Sequence, residues 1–291
     1  MTRKSNSGKL TSSSVEAFSK HDLFIIDDET INDPSLRDYI YCPVIEGEVR
    51  GHGLVPRDYA THPKEMFAPV SDLKLIDPSE YDERIALQEK EESSLEHLCT
   101  WESLDQNGQG YCWAYSSTGC VMALRSIMNL PPLRLSAHAV AWKIKGGRDE
   151  GGWCGLSAKF IKETGVPSVE LWPEKSMSRS NDRPETWTNA KLHLVTEDWQ
   201  DIGGSLYDQN LSLRQLDTCL LLNIPVATDF NWWGHSVMMG RLVKVESGSY
   251  GRAIRNSWSQ SWGKKGWSIL RGNKAIPDSS IALRVTKPSV N

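Results

Sequence analysis

Small and apolar side chains dominate residues 113–128, and this pattern predicts a buried central helix. The pair Pro131-Pro132 follows shortly afterwards, and proline cannot continue a helix, so the helix is expected to end before it. Two further helical patterns cover residues 136–145 and 155–164. This part of the chain is therefore expected to form a helical lobe.

After about residue 190 the pattern changes to short apolar stretches separated by polar residues, which is typical of strands. Strands are predicted at residues 192–195, 225–229, 236–245, 252–256, 267–271 and 281–285. A run of helices followed by a run of strands favours an α+β fold. No internal repeat is evident.

The chain ahead of the helical lobe has a different composition. Residues 1–20 are rich in Ser, Lys and Thr and are expected to form a flexible arm. Residues 21–74 hold short apolar runs broken by Pro, Gly and Asp, which predicts a loop-rich extension with two or three strands. Residues 83–98 are charged with periodic apolar positions, so we expect an exposed helix. We accordingly divide the chain into an arm with a small extension (1–74) and a main domain (75–291).

A cysteine stands where the central helix is predicted to begin. Residues 105–116 read DQNGQGYCWAYS, a glycine-rich turn that leads into Cys112. A nucleophilic thiolate needs a lowered pKa, which the N–H groups and dipole of a helix N-terminus help to supply. Gln106 precedes the cysteine by six residues, and its side-chain amide could donate a hydrogen bond to a tetrahedral intermediate. A lone cysteine is more often a buried structural thiol, but this surrounding string favours a nucleophile.

Three strings in the chain resemble one known family. The spacing Gln-x5-Cys-Trp-Ala-Tyr-Ser, which starts at Gln106, is similar to the active-site signature of papain-like cysteine peptidases (C1-type). Gly234-His235-Ser236-Val237 resembles the family's histidine segment. Residues 255–267, RNSWSQSWGKKGW, resemble its Asn-Ser-Trp segment. The resemblance covers roughly residues 75 to 287.

The order and spacing of the three strings also resemble the family's. The family spacing is about 130–150 residues after the cysteine; Asn256, 144 residues after Cys112, fits it, and His235, at 123 residues, falls slightly short. The resemblance implies a papain-like two-lobe fold, with a helical left lobe and a β-barrel-like right lobe.

The resemblance also assigns roles to residues. It implies that Cys112 is the nucleophile and that His235 is the base, together forming a thiolate–imidazolium pair. Asn256 would accept the second imidazole N–H and orient the ring. Gln106, with the Cys112 backbone N–H, would form the oxyanion hole.

Four further residues are assigned through the resemblance. Gly151 and Gly152 match the family's glycine pair, along which substrate backbone lies as an added strand, although a plain loop remains the alternative. Trp258 would cover the bond between His235 and Asn256 and exclude water, and Trp113 is assigned to shield the site.

Metal and phosphate sites are not indicated by the sequence. No His, Cys, Asp and Glu residues occur at metal-ligand spacing, and no glycine loop is followed by Lys-Ser or Lys-Thr, so neither a metal nor a cofactor is expected. The net charge of −4 and a pI near 6.0 argue against nucleic-acid binding. No stretch approaches 18 apolar residues, so neither a membrane span nor a membrane partner is expected.

The expected location follows from the N-terminus and the cysteines. The first residues are basic and polar without an apolar run after them, so we expect no secretory signal and a location in the cytoplasm or within a particle or assembly. The positions of the family's usual disulfide hold Gln109 and either Asp149 or Glu150. That departure favours six free thiols in a reducing compartment, although Cys120 and Cys154 could pair in another way.

Three functions agree with these patterns. The first is a papain-like cysteine endopeptidase acting on protein or peptide substrates. The second is a structural or assembly protein, such as a component of a virus-like particle, anchored in a large assembly through the N-terminal arm. The third is an acyl transferase or amidase that keeps the Cys-His pair. The extension lacks the long charged helices of the family's inhibitory propeptide, so inhibition by that device is not expected.

Overall fold

The structure is a computed structural model that describes residues 24–66, 68–69, 73–194, 198–203, 208–246 and 248–284. Its helices are α1 (Pro34–Tyr41), α2 (Tyr81–Lys90), α3 (Leu95–Leu98), α4 (Cys112–Ile127), α5 (Ala137–Lys145), α6 (Cys154–Thr164), α7 (Pro184–Leu192) and α8 (Gln209–Leu221). Its strands are β1 (Ile25–Ile26), β2 (Val44–Ile45), β3 (Glu48–Val49), β4 (Ala68–Pro69), β5 (Asp198–Gly203), β6 (Val226–Phe230), β7 (His235–Glu246), β8 (Ser249–Arg255), β9 (Trp267–Arg271) and β10 (Ser279–Arg284).

The main sheet has eight strands in the order β1-β9-β8-β7-β6-β10-β5-β4. Its interior pairs are antiparallel, whereas the edge strands β1 and β4 run parallel to their neighbours. Strands β2 and β3 form a separate hairpin. Helices α4, α5 and α6 pack on one another, and α4 also packs against β6 and β7. The predicted α+β fold with a helical lobe and a strand-rich lobe is confirmed.

The central helix forms where the hydrophobic pattern predicts it. Helix α4 is buried continuously from Cys112 to Leu124 because it lies between the other helices and the sheet. Helix α5 begins after Ser136, whose hydroxyl accepts a hydrogen bond from the Ala139 N–H, and ends at Gly146 in the left-handed region. The helices predicted at 136–145 and 155–164 are therefore present to within one residue.

The sequence predictions fail in the segment between the two lobes. Residues 192–194 do not begin a strand, because α7 continues to Leu192, and residues 195–197 lie outside the described part of the chain. The strand at Asp198–Gly203 and the helix at Gln209–Leu221 were not predicted. Helix α8 is capped by the Asp208 side chain, which accepts from the Leu211 N–H. Its mixed polar composition weakens the 3.6-residue pattern, and tertiary packing of its last two turns compensates.

The helix predicted at residues 83–98 is interrupted. It consists of α2 and the short α3, separated by Glu92, whose φ of 49° places it in the left-handed region that ends helices. Leu95 at the start of α3 is fully buried, so the segment is less exposed than predicted.

The described part of the extension is built into the main domain. Strand β1 pairs with β9, and β4 pairs with β5, so both ends of the sheet are extension strands. Phe24, Ile26 and Ile40 are buried in the core of the strand-rich lobe. The boundary at residue 74 stays a prediction, and the arm at 1–20 lies outside the described residues.

The structure also bears on the expectations about membrane spans and disulfide bonds. No helix in the described ranges is long and apolar enough to span a membrane. All six cysteines are free thiols, and only Cys42 is exposed.

Candidate active site

Cys112 lies at the first position of α4, directly after the glycine-rich turn. Its thiol receives backbone N–H groups from Trp113 and Ser236, so the N-terminus of α4 and the start of β7 meet at the sulfur. The helix N-terminus leaves N–H groups without intrahelical partners, which favours a negative charge at this point. The side chain is nevertheless fully buried.

His235 opens β7, and Asn256 follows the end of β8. The Nε2 atom of His235 is 2.8 Å from Oδ1 of Asn256, which also accepts from the Ser257 N–H at 2.7 Å. In the tautomer protonated at Nε2, the imidazole donates to the amide oxygen. Its Nδ1 atom has no hydrogen-bond partner among the described residues. The N–H of the next residue, Ser236, donates to the Cys112 thiol, so His235 and Cys112 lie at the same junction between the lobes.

Trp258 covers the imidazole of His235. The two rings stack with centroids 4.4 Å apart and planes at 28°, and Trp233 packs edge-on against the same imidazole at 5.0 Å. These aromatic walls exclude water from the hydrogen bond to Asn256, which strengthens it. Trp113 lies elsewhere, beneath the glycine pair, where its ring would be 2.8 Å from a Cβ at Gly152.

The Gln106 side chain is held in one orientation. Its Oε1 accepts from the Ser257 hydroxyl at 2.6 Å, which ties it to the loop that carries Asn256. Its Nε2 donates to the Gln109 carbonyl at 2.8 Å and to the Gly51 carbonyl at 3.0 Å. Both protons of the predicted oxyanion-hole amide are therefore already donated to carbonyls of this chain.

The cleft between the lobes is occupied by residues 51–55 of the extension, which we call the blocking segment. The Gly51 carbonyl accepts from both Gln106 Nε2 and Trp258 Nε1, each at 3.0 Å. The N–H groups of Gly53 and Leu54 both donate to the Gly234 carbonyl, next to His235. An internal segment therefore lies across the predicted catalytic residues.

The predicted substrate-binding glycines, Gly151 and Gly152, also contact the blocking segment. We call this pair the glycine strip. The Gly152 N–H donates to the Gly53 carbonyl at 2.9 Å, and the Val55 N–H donates to the Gly152 carbonyl at 2.8 Å. Leu54 and Gly152 form a parallel bridge. Gly151 lies directly under Val55, since a Cβ there would be 2.9 Å from the valine side chain. The pairing is the added-strand geometry expected for a peptide ligand at these glycines.

His52 projects from the blocking segment toward the candidate base. Its ring lies 5.2 Å from that of His235 and 5.3 Å from that of Trp258. Its Nε2 atom is hydrogen-bonded to the Tyr41 carbonyl, so the ring donates there. The blocking segment therefore contributes a side chain to the wall around the imidazole.

Only glycine fits at two positions of the blocking segment. A Cβ at Gly51 would lie 2.5 Å from the Gly108 carbonyl oxygen. At Gly53 the φ angle is 146°, and a Cβ would lie 2.1 Å from the Gly110 carbonyl oxygen. Both contacts are with backbone of the turn before Cys112, so a side chain at either position would push the segment away from it.

Burial shifts the pKa values of Cys112 and His235 against the charged states that the resemblance implies. Burial raises the pKa of the Cys112 thiol, although the surrounding backbone N–H groups oppose this change. Burial and the neighbouring His52 lower the pKa of His235 well below its usual range, against the hydrogen bond to Asn256. Both shifts favour the uncharged forms of the two groups while the cleft is covered. The thiolate–imidazolium pair stays a prediction.

Two buried arginines hold the blocking segment at its ends. Arg50 forms an ion pair with Asp105, in the turn before Cys112, at 3.1 Å. Arg57 forms an ion pair with Asp201, in β5, at 2.6 Å. The segment is thus fixed to both sides of the cleft by charge-assisted hydrogen bonds.

None of the contacts of the blocking segment is predicted from the sequence. The sequence feature that could indicate this segment is the string Arg50-Gly51-His52-Gly53. In it, two glycines flank a histidine outside any predicted turn between strands. In the described part of the extension, the α-helix is the eight-residue α1. The cleft is filled by an extended segment, which does not require long charged helices.

Known proteins resemble this chain in sequence over part of its length. No family model matches the chain. It is 29% identical over 208 residues to "Cathepsin B-like CP2" of Giardia intestinalis, covering 63% of this chain and 67% of that protein. It is 25% identical over 202 residues to "Cysteine protease XCP2" of Arabidopsis thaliana, covering 62% of this chain and 54% of that protein. The match therefore spans between about half and two thirds of these relatives.

Solved structures resemble it over more of the chain. Xylellain, a cysteine protease from Xylella fastidiosa, superimposes with a TM-score of 0.58 and 15% identity, covering 82% of this chain and 97% of the other. Digestive procathepsin L2 from the midgut of Tenebrio molitor larvae gives a TM-score of 0.59 and 17% identity, covering 95% and 91%. The chain is therefore similar in sequence to cysteine proteases of the papain-like kind and has the papain-like fold.

Proposed function

We propose that this protein is a cysteine peptidase in a latent form, with Cys112 as its nucleophile. The observation that carries the proposal is the junction at the cleft, where the thiol of Cys112 at a helix N-terminus meets the strand that begins with His235. The hydrogen bond from His235 to Asn256 orients the imidazole with its other nitrogen unbonded among the described residues. This donor and acceptor set is suited to acyl transfer to a thiol.

In the open enzyme, catalysis would proceed from these same contacts. Withdrawal of the blocking segment admits water and removes His52 from His235, so the thiol pKa falls and the imidazole pKa rises. His235 then takes the thiol proton, and the sulfur attacks the carbonyl carbon of a peptide bond. The amide of Gln106, released from Gly51, donates with the Cys112 N–H to the developing oxyanion. The imidazolium protonates the departing amine, and water then hydrolyses the thioester.

Latency is supported by the geometry of the blocking segment. It occupies the glycine strip, the Gln106 amide and the space beside His235 at once. One of the similar structures is described as a procathepsin, and its similarity extends over 95% of this chain. A peptide substrate cannot enter until residues 51–55 have moved.

The test is covalent labelling of the thiol. An epoxysuccinyl peptide probe is added to the wild-type chain, to Gly53→Ala and to Gly53→Ala with Cys112→Ala, and adducts are counted by intact mass. We expect slow labelling of the wild type, fast single labelling of Gly53→Ala and none without Cys112. Labelling of other cysteines, or equal labelling with and without Cys112, would refute the assignment.

Hydrolysis decides between peptidase action and the other uses of a Cys-His pair. The Gly53→Ala chain is offered casein and a set of small primary amides, and product is followed by mass spectrometry. Cleavage of casein supports peptidase action, whereas turnover of the small amides alone indicates an amidase. The structural or assembly alternative receives no support from the comparisons with known proteins.

A further inference from the structure

We propose that a surface pocket beside Arg255, the residue that precedes Asn256, binds a phosphate or sulfate group. The pocket has a volume of about 430 Å³. The proposal goes beyond the peptidase function and does not require it, since neither Cys112 nor His235 lines this pocket. We call the site the anion pocket and define it by Trp101, Ser103, Arg255, Lys264, Lys265 and Trp267.

Arg255 is a buried cation without a carboxylate partner. The arginines buried in the described part of the chain are Arg50, Arg57, Arg252 and Arg255. The first three each form an ion pair with an aspartate, at 3.1, 2.6 and 2.7 Å. Arg255 forms no ion pair with any described residue, although it is only 6% exposed. Because a buried charge is strongly unfavourable unless it is paired, this guanidinium favours an anion beside it.

The guanidinium of Arg255 has protons left to donate. Its Nε donates to Ser103 Oγ at 2.9 Å, its Nη1 donates to the Cys99 carbonyl at 2.8 Å, and its Nη2 donates to the Trp101 carbonyl. Each Nη atom carries two protons, so each keeps one that no carbonyl takes. The group lies 3.7 Å from the centroid of the Trp101 ring and 5.4 Å from that of Trp267. These contacts fix its orientation, and a fixed guanidinium fork matches the oxygens of a phosphate or sulfate.

Two lysines line the same pocket. Lys264 and Lys265 are exposed and form no ion pair with any residue that the structure describes. The Ser103 hydroxyl, which accepts from Arg255, donates to the Lys265 carbonyl at 3.3 Å, so the turn that carries both lysines lies next to the guanidinium. This turn is closed by reciprocal backbone bonds between Lys264 and Trp267 at 2.9 and 3.1 Å. Three cations therefore line one pocket, which favours an anion of more than one charge.

Two carboxylates also line the pocket and oppose an anion. Glu96 is already paired within the protein, since its Oε2 accepts from Arg241 Nη1 at 2.6 Å. Glu102 is exposed, where dissolved salt screens its charge. Burial lowers the pKa of Arg255 to about 10, and a bound anion would raise it again. The charge of the pocket therefore still favours an anion over a cation.

A purely structural role for Arg255 is the alternative. Its three acceptors belong to Cys99, Trp101 and Ser103, so the guanidinium also fastens the segment after α3 to the end of β8. Those contacts fit a fastening role equally well. The exposed charges of Lys264 and Lys265 take no part in that fastening, so they separate the two roles.

Isothermal titration calorimetry with inorganic phosphate tests the anion pocket without requiring catalysis. Phosphate is titrated into the full-length chain, with sodium chloride added to keep the ionic strength constant. The test variant combines Lys264→Gln with Lys265→Gln. The matched control combines Lys159→Gln with Lys191→Gln, which removes the same number of exposed positive charges from α6 and α7.

We expect the wild-type chain to bind phosphate saturably and the Lys264→Gln, Lys265→Gln chain to bind it about tenfold more weakly, because two charges at the rim are lost. The control pair should bind like the wild type. Arg255→Gln should abolish binding. Circular dichroism checks each variant, and if Arg255→Gln does not fold, Arg255→Lys replaces it and should weaken binding, since it keeps the charge but loses the fork. No saturable binding by the wild type, or an equal loss in both lysine pairs, overturns the proposal.

Two further titrations identify the source of the anion. Sodium sulfate offers a second free oxyanion, and phenyl phosphate offers the phosphate group as an ester. Binding of phenyl phosphate tighter than that of inorganic phosphate supports the pocket with an organic phosphate as its ligand. Binding of both free ions tighter than that of the ester supports it with a free ion. If none of the three binds more tightly than chloride at equal ionic strength, the pocket is not an oxyanion site.

Discussion

At the scale of single residues, shared hydrogen bonds connect the side chains of the candidate active site. Asn256 Oδ1 accepts from His235 and from the Ser257 N–H, while the Ser257 hydroxyl donates to Gln106. The candidate base and the candidate oxyanion donor are therefore held by one short loop after β8. The role of each side chain can be separated in the opened Gly53→Ala chain.

Replacement of the oxyanion donor should slow the chemical step while Cys112 remains open to covalent labelling. In the Gly53→Ala background, Gln106→Ala is expected to lower kcat by about 10²–10³, because one preorganised donor is lost. Peptide hydrolysis under saturating substrate measures kcat, and Gln109→Ala on the same turn is the control. A change in KM with kcat unaltered would contradict the assignment.

Loss of the base should cost more than loss of the residue that orients it. His235→Ala removes the proton acceptor, whereas Asn256→Ala leaves an imidazole that is still stacked on Trp258. We therefore expect the rate of hydrolysis in the Gly53→Ala background to fall further for His235→Ala. Equal losses in kcat/KM would show that Asn256 does more than orient the ring.

We expect His138 to make the stability of the protein depend on pH. It is buried between the Tyr115 hydroxyl and Gln109, and burial lowers its pKa to about 4 from 6.5. The unfolded chain binds the proton more readily, so stability falls as the pH drops from about 6.5 to 4, by up to about 3 kcal/mol. Urea unfolding at several pH values measures this, with His138→Gln as the variant that lacks the dependence. An identical pH profile for both chains would contradict it.

At the scale of elements, sequence periodicity is sufficient to predict a helix or strand where apolar burial alone determines it. Helix α4 is buried from Cys112 to Leu124, and β9 is predicted with its observed bounds, because apolar burial determines both. Helix α8 is not predicted because its N-terminal turns are polar. Only its C-terminal turns, which include Asp217, are buried. The candidate catalytic residues were named from motifs, but the blocking segment depends on backbone pairing far apart in sequence, which no local pattern reveals.

Helix α8 is tied to the sheet by a buried ion pair. Arg252 of β8 donates to both carboxylate oxygens of Asp217, at 2.7 and 3.0 Å. Asp217→Ala should lower the free energy of unfolding by about 3–5 kcal/mol, because it leaves a buried guanidinium without its partner. Urea denaturation measures the change, and the double variant Asp217→Leu with Arg252→Met should recover most of it. A loss below about 1 kcal/mol, the value typical of exposed pairs, would contradict this view.

At the scale of the whole molecule, the blocking segment and the fold are not separable units. The extension supplies β1 and β4 at the two edges of the main sheet and carries the blocking segment between them. Phe24 accepts hydrogen bonds through its carbonyl from the Ser268 hydroxyl and the Ile269 N–H, and its ring packs on Trp262. Opening of the cleft therefore requires local displacement of residues 51–55, while the strands on both sides remain paired.

A single cut after the blocking segment should consequently leave the protein assembled and closed. A site-specific protease sequence is inserted between Ala60 and Thr61, which are exposed, and the cleaved protein is analysed by gel filtration and by thiol labelling. The two fragments are expected to elute together and to separate only in concentrated urea, because β1 and the Arg50–Asp105 pair still hold the first one. Labelling of Cys112 should stay slow after the cut and become fast when Gly53→Ala is added. If cleavage alone released the first fragment and exposed the thiol, the extension would be a detachable inhibitor and not part of the fold.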